Sequence, residues 1–253
     1  MVRQNLNSTA VQKKLEAELQ ARDEFFSAIA HELRNPLNAL HLTVAGLLRA
    51  HGGAMPLSSE QVVARLTRAS TQVSRLAKLV DEMLDVSRIS AGRLILQLDD
   101  FDASTVLAEV VERAKDPANA SLISLSRPPS LLIRCDRTRF AQIASNLLSN
   151  AIVYGLQRPI EVRLDSDPST IRLEVVDHGI GIAEADQERI FERFVKLAKD
   201  DANVRFGIGL WITRAVVRAL KGDIHVASQP DRGSTFVVKL PKLDPAGTPV
   251  PSE

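Results

Sequence analysis

The sequence predicts two units: an all-α unit followed by an α+β unit. The first is a helical hairpin that pairs with a second copy as a four-helix bundle, and the second is an α/β sandwich. Three observations predict this. Apolar residues Phe26, Ala30, Leu33, Leu37, Leu40, Val44 and Leu47 recur at alternating steps of four and three, the seam of a packed helix. A second stripe, Leu66, Ala69, Val73, Leu76, Val80 and Met83, alternates in the same way. Beyond Gly92 the period changes to two, as in Ile160–Glu161–Val162–Arg163–Leu164 and the run Ile171 to Val176, the pattern of paired strands.

Each element follows from local signals. Residues 10–50 read as one helix, with Val11, Leu15 and Leu19 carrying the seam upstream. Pro36 cannot donate to the Glu32 carbonyl, so a bend is expected there. His51–Gly52–Gly53 and Pro56 end that helix. Ser58 or Ser59 caps the next, which stops at Ser90–Ala91–Gly92. One hairpin cannot bury both seams and two can, so a homodimer is expected. Leu94, Leu96 and Leu98 alternate as a short strand, and Asp102 caps a helix reaching about Lys115. Strands are expected at 121–125 and 131–134. Asp136 opens a helix through Tyr154, another helix follows Gly207, and strands return at 223–228 and 234–240. From Lys242 the chain is rich in Pro, Gly and Ser, the composition of a disordered tail. The expected divisions are an entering coiled-coil or linker helix at 1–24, the hairpin at 25–92, the sandwich at 93–241 and the tail at 242–253.

Composition narrows the function classes. A chain of 253 residues with 45% hydrophobic and 25% charged residues is that of a globular protein with a sizeable core. A net charge of +1 argues against nucleic acid as a partner. Cys135 is the only cysteine, which excludes an intrachain disulfide and fits a reducing compartment. No apolar run is long enough for a membrane segment, and the N-terminus does not lead into a signal core. The expected location is cytoplasmic, either free or as the cytosolic part of a longer, membrane-anchored protein.

Four motifs carry chemistry. His31 lies off the apolar seam with Glu32 beside it, and Asn35 shares its face one turn on. Such an imidazole can be a nucleophile that a separate domain approaches; the alternative is an ordinary surface histidine. Asn146 and Asn150 stand four apart on a helix, where carboxamide oxygens can hold Mg²⁺ beside substrate phosphates; the alternative is plain helix polarity. Asp177–His178–Gly179–Ile180–Gly181 follows a strand, so the carboxylate can accept from an exocyclic amine while the glycines admit a flat ligand. An Asp-rich turn is the alternative, and Glu184 stands where a dinucleotide fingerprint would need its third glycine. Phe206–Gly207–Ile208–Gly209–Leu210 opens a helix whose free N–H groups suit an anion. The polar stretch from Lys196 to Arg205 before it suits a lid, with a loop and glycine cap as the alternative.

In their order these motifs resemble the boxes of bacterial sensor histidine kinases of two-component systems. His31–Glu32–Leu33–Arg34–Asn35–Pro36 is similar to the phosphoacceptor box, and Asn146 to Asn150 to the N box. Asp177 to Gly181 is similar to the G1 box, Ile190–Phe191–Glu192–Arg193–Phe194 to the F box, and Phe206 to Leu210 to the G2 box. Gly233–Ser234–Thr235–Phe236 resembles the closing strand. The resemblance covers roughly 20–240. It implies a HisKA-type dimerisation and phosphotransfer hairpin, then an ATP-binding sandwich of the GHKL type shared with gyrase, mismatch-repair and heat-shock chaperone ATPases.

The resemblance also implies roles. His31 would take phosphate from ATP, Glu32 would handle the ring proton, and Asn35 would serve dephosphorylation of a partner. Asn150 and Asn146 would hold Mg²⁺. Tyr154, Asp177, Gly179, Gly181, Ile182, Lys196, Arg205, Gly207, Gly209, Leu210 and Thr235 would contact the nucleotide, with Asp177 on adenine. The implied partner is the receiver domain of a separate response regulator, phosphorylated on aspartate. Two positions depart from the pattern: Val153 replaces a lysine that touches phosphate, and Arg205 replaces a glycine. Loss of a cation weakens charge stabilisation, which Arg205 or Lys196 could restore. A nucleotide-binding adaptor without phosphotransfer, for which Val153 argues, stays as the alternative. A conformational ATPase clamp is a further one, which would have no use for the His31 box.

Overall fold

The structure is a computed structural model that describes residues 27, 30, 33–50, 58–116, 119–195 and 207–243. It divides into two compact units, Met1–Leu84 and Asp85–Glu253. The expected helix over 10–26, the loop at 51–57, His31, Glu32, Lys196 and Arg205 lie outside the described residues.

In the first unit, helix α1 covers 33–50 and is unbroken at Pro36. Helix α2, Ser59–Ser90, begins in this unit. Ser58 rather than Ser59 is its cap: Gln61 N donates to Ser58 Oγ at 3.3 Å, and Ser58 N donates to Gln61 Oε1 at 3.1 Å. This reciprocal pair satisfies donors the first turn leaves open. A Cβ added to Gly46 would stand 3.1 Å from Arg65 Nη1, so the two helices run side by side there. Leu37, Leu66 and Val73 of the seams are each more than half exposed on the single chain.

The second unit opens with the last turn of α2 and continues as β1 (Asp99–Asp102), α3 (Ala103–Ala114), β2 (Ile123–Ser126), β3 (Leu132–Cys135) and α4 (Arg137–Tyr154). Then come β4 (Ile160–Ser166), β5 (Thr170–Asp177), two 3₁₀ turns, α5 (Gly209–Ala219), β6 (Asp223–Gln229) and β7 (Gly233–Pro241). The main sheet has the order β2-β4-β5-β7-β6, with only β2 and β4 parallel. β1 and β3 form a separate antiparallel pair.

Period-two burial shows how the layers meet. Ile171, Leu173, Val175 and Asp177 of β5 are buried toward the helices, as are Phe236, Val238 and Leu240 of β7. Phe140, Ile143, Leu147 and Leu148 of α4 and Ile212, Val216 and Val217 of α5 supply the facing core. The other sheet face is polar, with Arg163 Nη1 donating to Glu174 Oε1 at 3.1 Å.

Two expectations are corrected. Leu94, Leu96 and Leu98 are half-buried and alternate, yet they form no strand; the ladder belongs to Asp99–Asp102. Alternation sets which side faces in, whereas a strand also needs a partner edge, and β3 pairs further along. The tail expected from Lys242 also starts too early, because Lys242 N still donates to Ser169 O at 2.7 Å.

Candidate nucleotide site

Three chain segments converge at one end of the sandwich. The first is the second half of α4. Asp136 caps this helix by accepting from Arg139 N at 3.0 Å, which sets the phase that follows. Asn146 is buried, and its Nδ2 donates to Gly209 O and to Thr213 Oγ1, both at 3.3 Å. It therefore ties α4 to the start of α5. Asn150, one turn on, is half-buried, and its carboxamide has no hydrogen-bond partner among the described residues. Val153 is half-buried in the last turn, where the family resemblance would place a cation.

The second segment leaves β5. Asp177 is 5% exposed at the strand's last position, on the helix-facing side. Burial pushes its carboxyl above the ordinary carboxylate range, opposed by the N–H groups of Gly179 and Ser234 and by nearby His178. Its Oδ1 accepts from Gly179 N at 2.8 Å. The glycines are sterically required: a Cβ on Gly179 would lie 1.8 Å from Tyr154 O, and one on Gly181 only 1.9 Å from Gln229 O. Ile180 N donates to Tyr154 O at 3.2 Å, fastening this loop beneath the end of α4. Ile182 N donates to Ser228 Oγ at 2.8 Å, and Ser228 Oγ in turn donates to Gly233 O at 2.7 Å.

The third segment is the entry to α5. Gly207 has φ of +67°, and a Cβ there would lie 2.5 Å from Val195 O. Phe194 N donates to Gly207 O at 3.0 Å, so positions 194 and 207 are joined at the base of the intervening stretch. Gly209 and Leu210 begin the helix, and Ile208 is fully buried beneath them. Phe191 of the F box is buried edge-on against Phe236, their ring centres 6.5 Å apart.

Asn146, Asn150, Tyr154, Asp177, Gly179, Gly181, Gly207, Gly209 and Leu210 are thus carried by three segments that hydrogen bonds and close approaches hold together. Thr235 is not part of this set. Asp177 pairs with Ser234, and Thr235 pairs with Val176, so the Thr235 side chain lies on the opposite face of the sheet. With Val176 and Ala227 it lines one part of a cleft of about 770 Å³, which Asp177, Ser228 and Ser234 also line. Sequence reasoning missed Ser234 and Ser228. Ser234 is buried beside Asp177, and Ser228 Oγ, 3.0 Å from Ser234 Oγ, anchors the glycine loop. Pairing the two strands across the Pro230–Asp231–Arg232 turn would have placed both serines on one face. Asn35, by contrast, is exposed on α1 in the other unit.

The class the fold and site define is a helical unit followed by a one-sided α/β sandwich with a buried aspartate at a strand end. Residues 21–92 match the His Kinase A (phospho-acceptor) domain. Residues 135–244 match the histidine kinase-, DNA gyrase B- and HSP90-like ATPase family. Together these matches span well over half of the chain, and it belongs to the sensor histidine kinases of two-component systems.

Sensor-like histidine kinase SenX3 of Mycobacterium tuberculosis is 33% identical over 228 residues, which are 88% of this chain and 54% of SenX3. Autoinducer 2 sensor kinase/phosphatase LuxQ of Vibrio cholerae is 32% identical over 92% of this chain and 28% of its own. Among solved structures, the Acinetobacter baumannii histidine kinase AdeS superposes with a TM-score of 0.61 at 25% identity, covering 85% of this chain and 98% of that one. The chain spans about half the length, or less, of these curated relatives. No described helix is long and apolar enough to cross a membrane.

Proposed function

We propose that the chain is a protein histidine kinase that phosphorylates itself on His31 with ATP and passes the phosphoryl group to an aspartate of a separate response regulator. The observation that carries this reading is Asp177, a buried carboxylate at a strand end, set beneath the helix that presents Asn146 and Asn150. A buried acceptor facing a cleft selects a ligand that donates there, as the exocyclic amine of adenine does. The nucleotide phosphates then lie toward the entry of α5, whose backbone donors suit anions.

Asn150 fits a metal-binding role because its carboxamide is unpartnered among the described residues, whereas Asn146 is engaged with α5. The described residues hold no cluster of three acidic, histidine or cysteine ligands, so substrate phosphates and water must complete the shell. Mg²⁺ bound there neutralises phosphate charge. Lys196 and Arg205 are proposed to add positive charge in place of the lysine missing at Val153. Tyr154, Gly179, Gly181, Ile182, Gly207, Gly209 and Leu210 shape the walls, and Ser234 replaces Thr235 beside Asp177.

In the transfer, a neutral His31 ring nitrogen attacks the γ-phosphorus. The bond from phosphorus to the ADP oxygen breaks, and Glu32 accepts the ring proton. Positioning and charge neutralisation supply most of the acceleration. Functional divisions are drawn at 25–92 for the phosphoacceptor hairpin and 93–243 for the ATP-binding domain, with 1–24 and 244–253 flanking them. The hairpin acts as a homodimer, in the cytoplasm. Asn35 supports phosphatase action on the regulator; LuxQ is named a sensor kinase/phosphatase.

Calorimetry with ATP and GTP tests the nucleotide assignment. ATP is expected to bind tighter, by about 1–3 kcal/mol, because GTP lacks the amine that Asp177 accepts. Equal affinities would contradict it.

A further inference from the structure

The last turn of α2 carries a buried acid outside the nucleotide site. Asp85 is 4% exposed, and its Oδ2 accepts from Arg139 Nη1 at 2.7 Å and from Gln142 Nε2 at 2.6 Å. Arg139 Nη1 also donates to Gln142 Oε1 at 2.8 Å, which closes a ring of three side chains. Arg139 and Gln142 begin a stripe along α4 that continues, three or four residues at a time, through Asn146 and Asn150. At the end of the same turn, Ser90 Oγ accepts from Arg193 Nη2 at 3.0 Å. The Arg193 guanidinium lies 4.2 Å from the centre of the Trp211 ring on α5. Residues 85–90 are therefore fastened to both helices that carry the nucleotide residues.

We propose that Asp85 is a positioning residue for the nucleotide site. By holding Arg139 and Gln142 it sets the position of α4, and hence where Asn146 and Asn150 meet the substrate. The inference rests on the ATP reading above. Stability alone is a poor reason for such a group, because a buried ion pair replaced by apolar side chains is often neutral or stabilising. Coupling is reciprocal, so a nucleotide that fixes α4 must in turn tighten the hold on 85–90.

The test uses the full chain with Mg²⁺ and AMPPNP. Calorimetry gives affinity, amide hydrogen exchange reports on 85–90, and thermal melting checks the fold. In the parent, saturating nucleotide is expected to slow exchange at 85–90 by about five-fold or more. In Asp85→Asn that protection is lost and affinity falls by at least about three-fold. The double variant Asp85→Leu with Arg139→Met removes both charges. It is expected to melt no lower than the parent while losing the same protection. Nucleotide-dependent protection that persists in a folded variant, or an unchanged affinity, overturns the positioning role. Unfolding of both variants overturns it too, by assigning Asp85 to the stability of the fold. A parent that binds nucleotide without protecting 85–90 overturns this inference alone, whereas a parent that binds none overturns the ATP reading with it.

Discussion

Asp177 has opposing effects on stability and on binding. Its folded-state pKa is raised, first by burial, above the ordinary value of 3.8. Between that value and the raised one, the native state keeps a proton that the unfolded chain has released, so this group's contribution to stability falls as pH rises through the window. Asp177→Asn is neutral throughout and still offers Gly179 an oxygen. Denaturant titrations should therefore show the variant gaining on the parent as pH rises from about 4, then holding a constant advantage. Its ATP affinity should drop by about 1–3 kcal/mol. Parallel pH curves for the two proteins would argue that Asp177 is not desolvated. In the hairpin, the exposed Asn35 precedes Pro36. Asn35→Ala should leave autophosphorylation within a few-fold and slow regulator dephosphorylation by about ten-fold, or 1.4 kcal/mol. Glu32→Ala should cut autophosphorylation first. A parallel loss of both activities in Asn35→Ala would make Asn35 structural.

Among the elements, glycines at close backbone approaches divide from those in open space. Gly181 combines a φ of +66° with a Cβ position 1.9 Å from Gln229 O. A left-handed L-residue costs roughly 1–2 kcal/mol before any backbone moves. Gly181→Ala should therefore lower the melting temperature and abolish nucleotide binding. At Gly209 the nearest atom to an added Cβ is Asn146 Cγ at 3.9 Å, so Gly209→Ala should stay within about 1 kcal/mol of the parent in stability. Equal losses in the two would refute this steric account of the loops.

The same local detail explains what could be read from sequence. α4 and β5 were legible because Asp136 caps one and the alternation from Ile171 to Val175 marks the other. Leu94 to Leu98 alternates without a partner, a fact that lies in the pairing rather than in the segment. The register of β7 puts Ser234, one residue before Thr235, on the Asp177 face, because successive strand residues point to opposite faces. Ser228 sits in an edge strand with no apolar signal, and only the register of β6 against β7 brings it to the glycine loop.

At the scale of the whole molecule, Leu66, Val73 and Val80 leave α2 at successive heptad positions and are about half exposed, with Leu37 and Val44 doing the same on α1. Full burial of such a side chain is worth about 1.5–3 kcal/mol, and a second hairpin provides it. Val73→Lys should therefore give a monomer by light scattering where the parent is a dimer, since an unpaired buried charge costs roughly 3–5 kcal/mol. A parent already monomeric at micromolar concentration would contradict the bundle. Leu76 is half-buried within one chain, so a charge there would damage the hairpin itself. The central claim joins both units, and incubation of the intact protein with γ-labelled ATP and Mg²⁺ tests it most directly. The expected result is an acid-labile, alkali-stable label that maps to His31 and is absent from His31→Gln. ATP binding without any label, or a label that survives in His31→Gln, would contradict it.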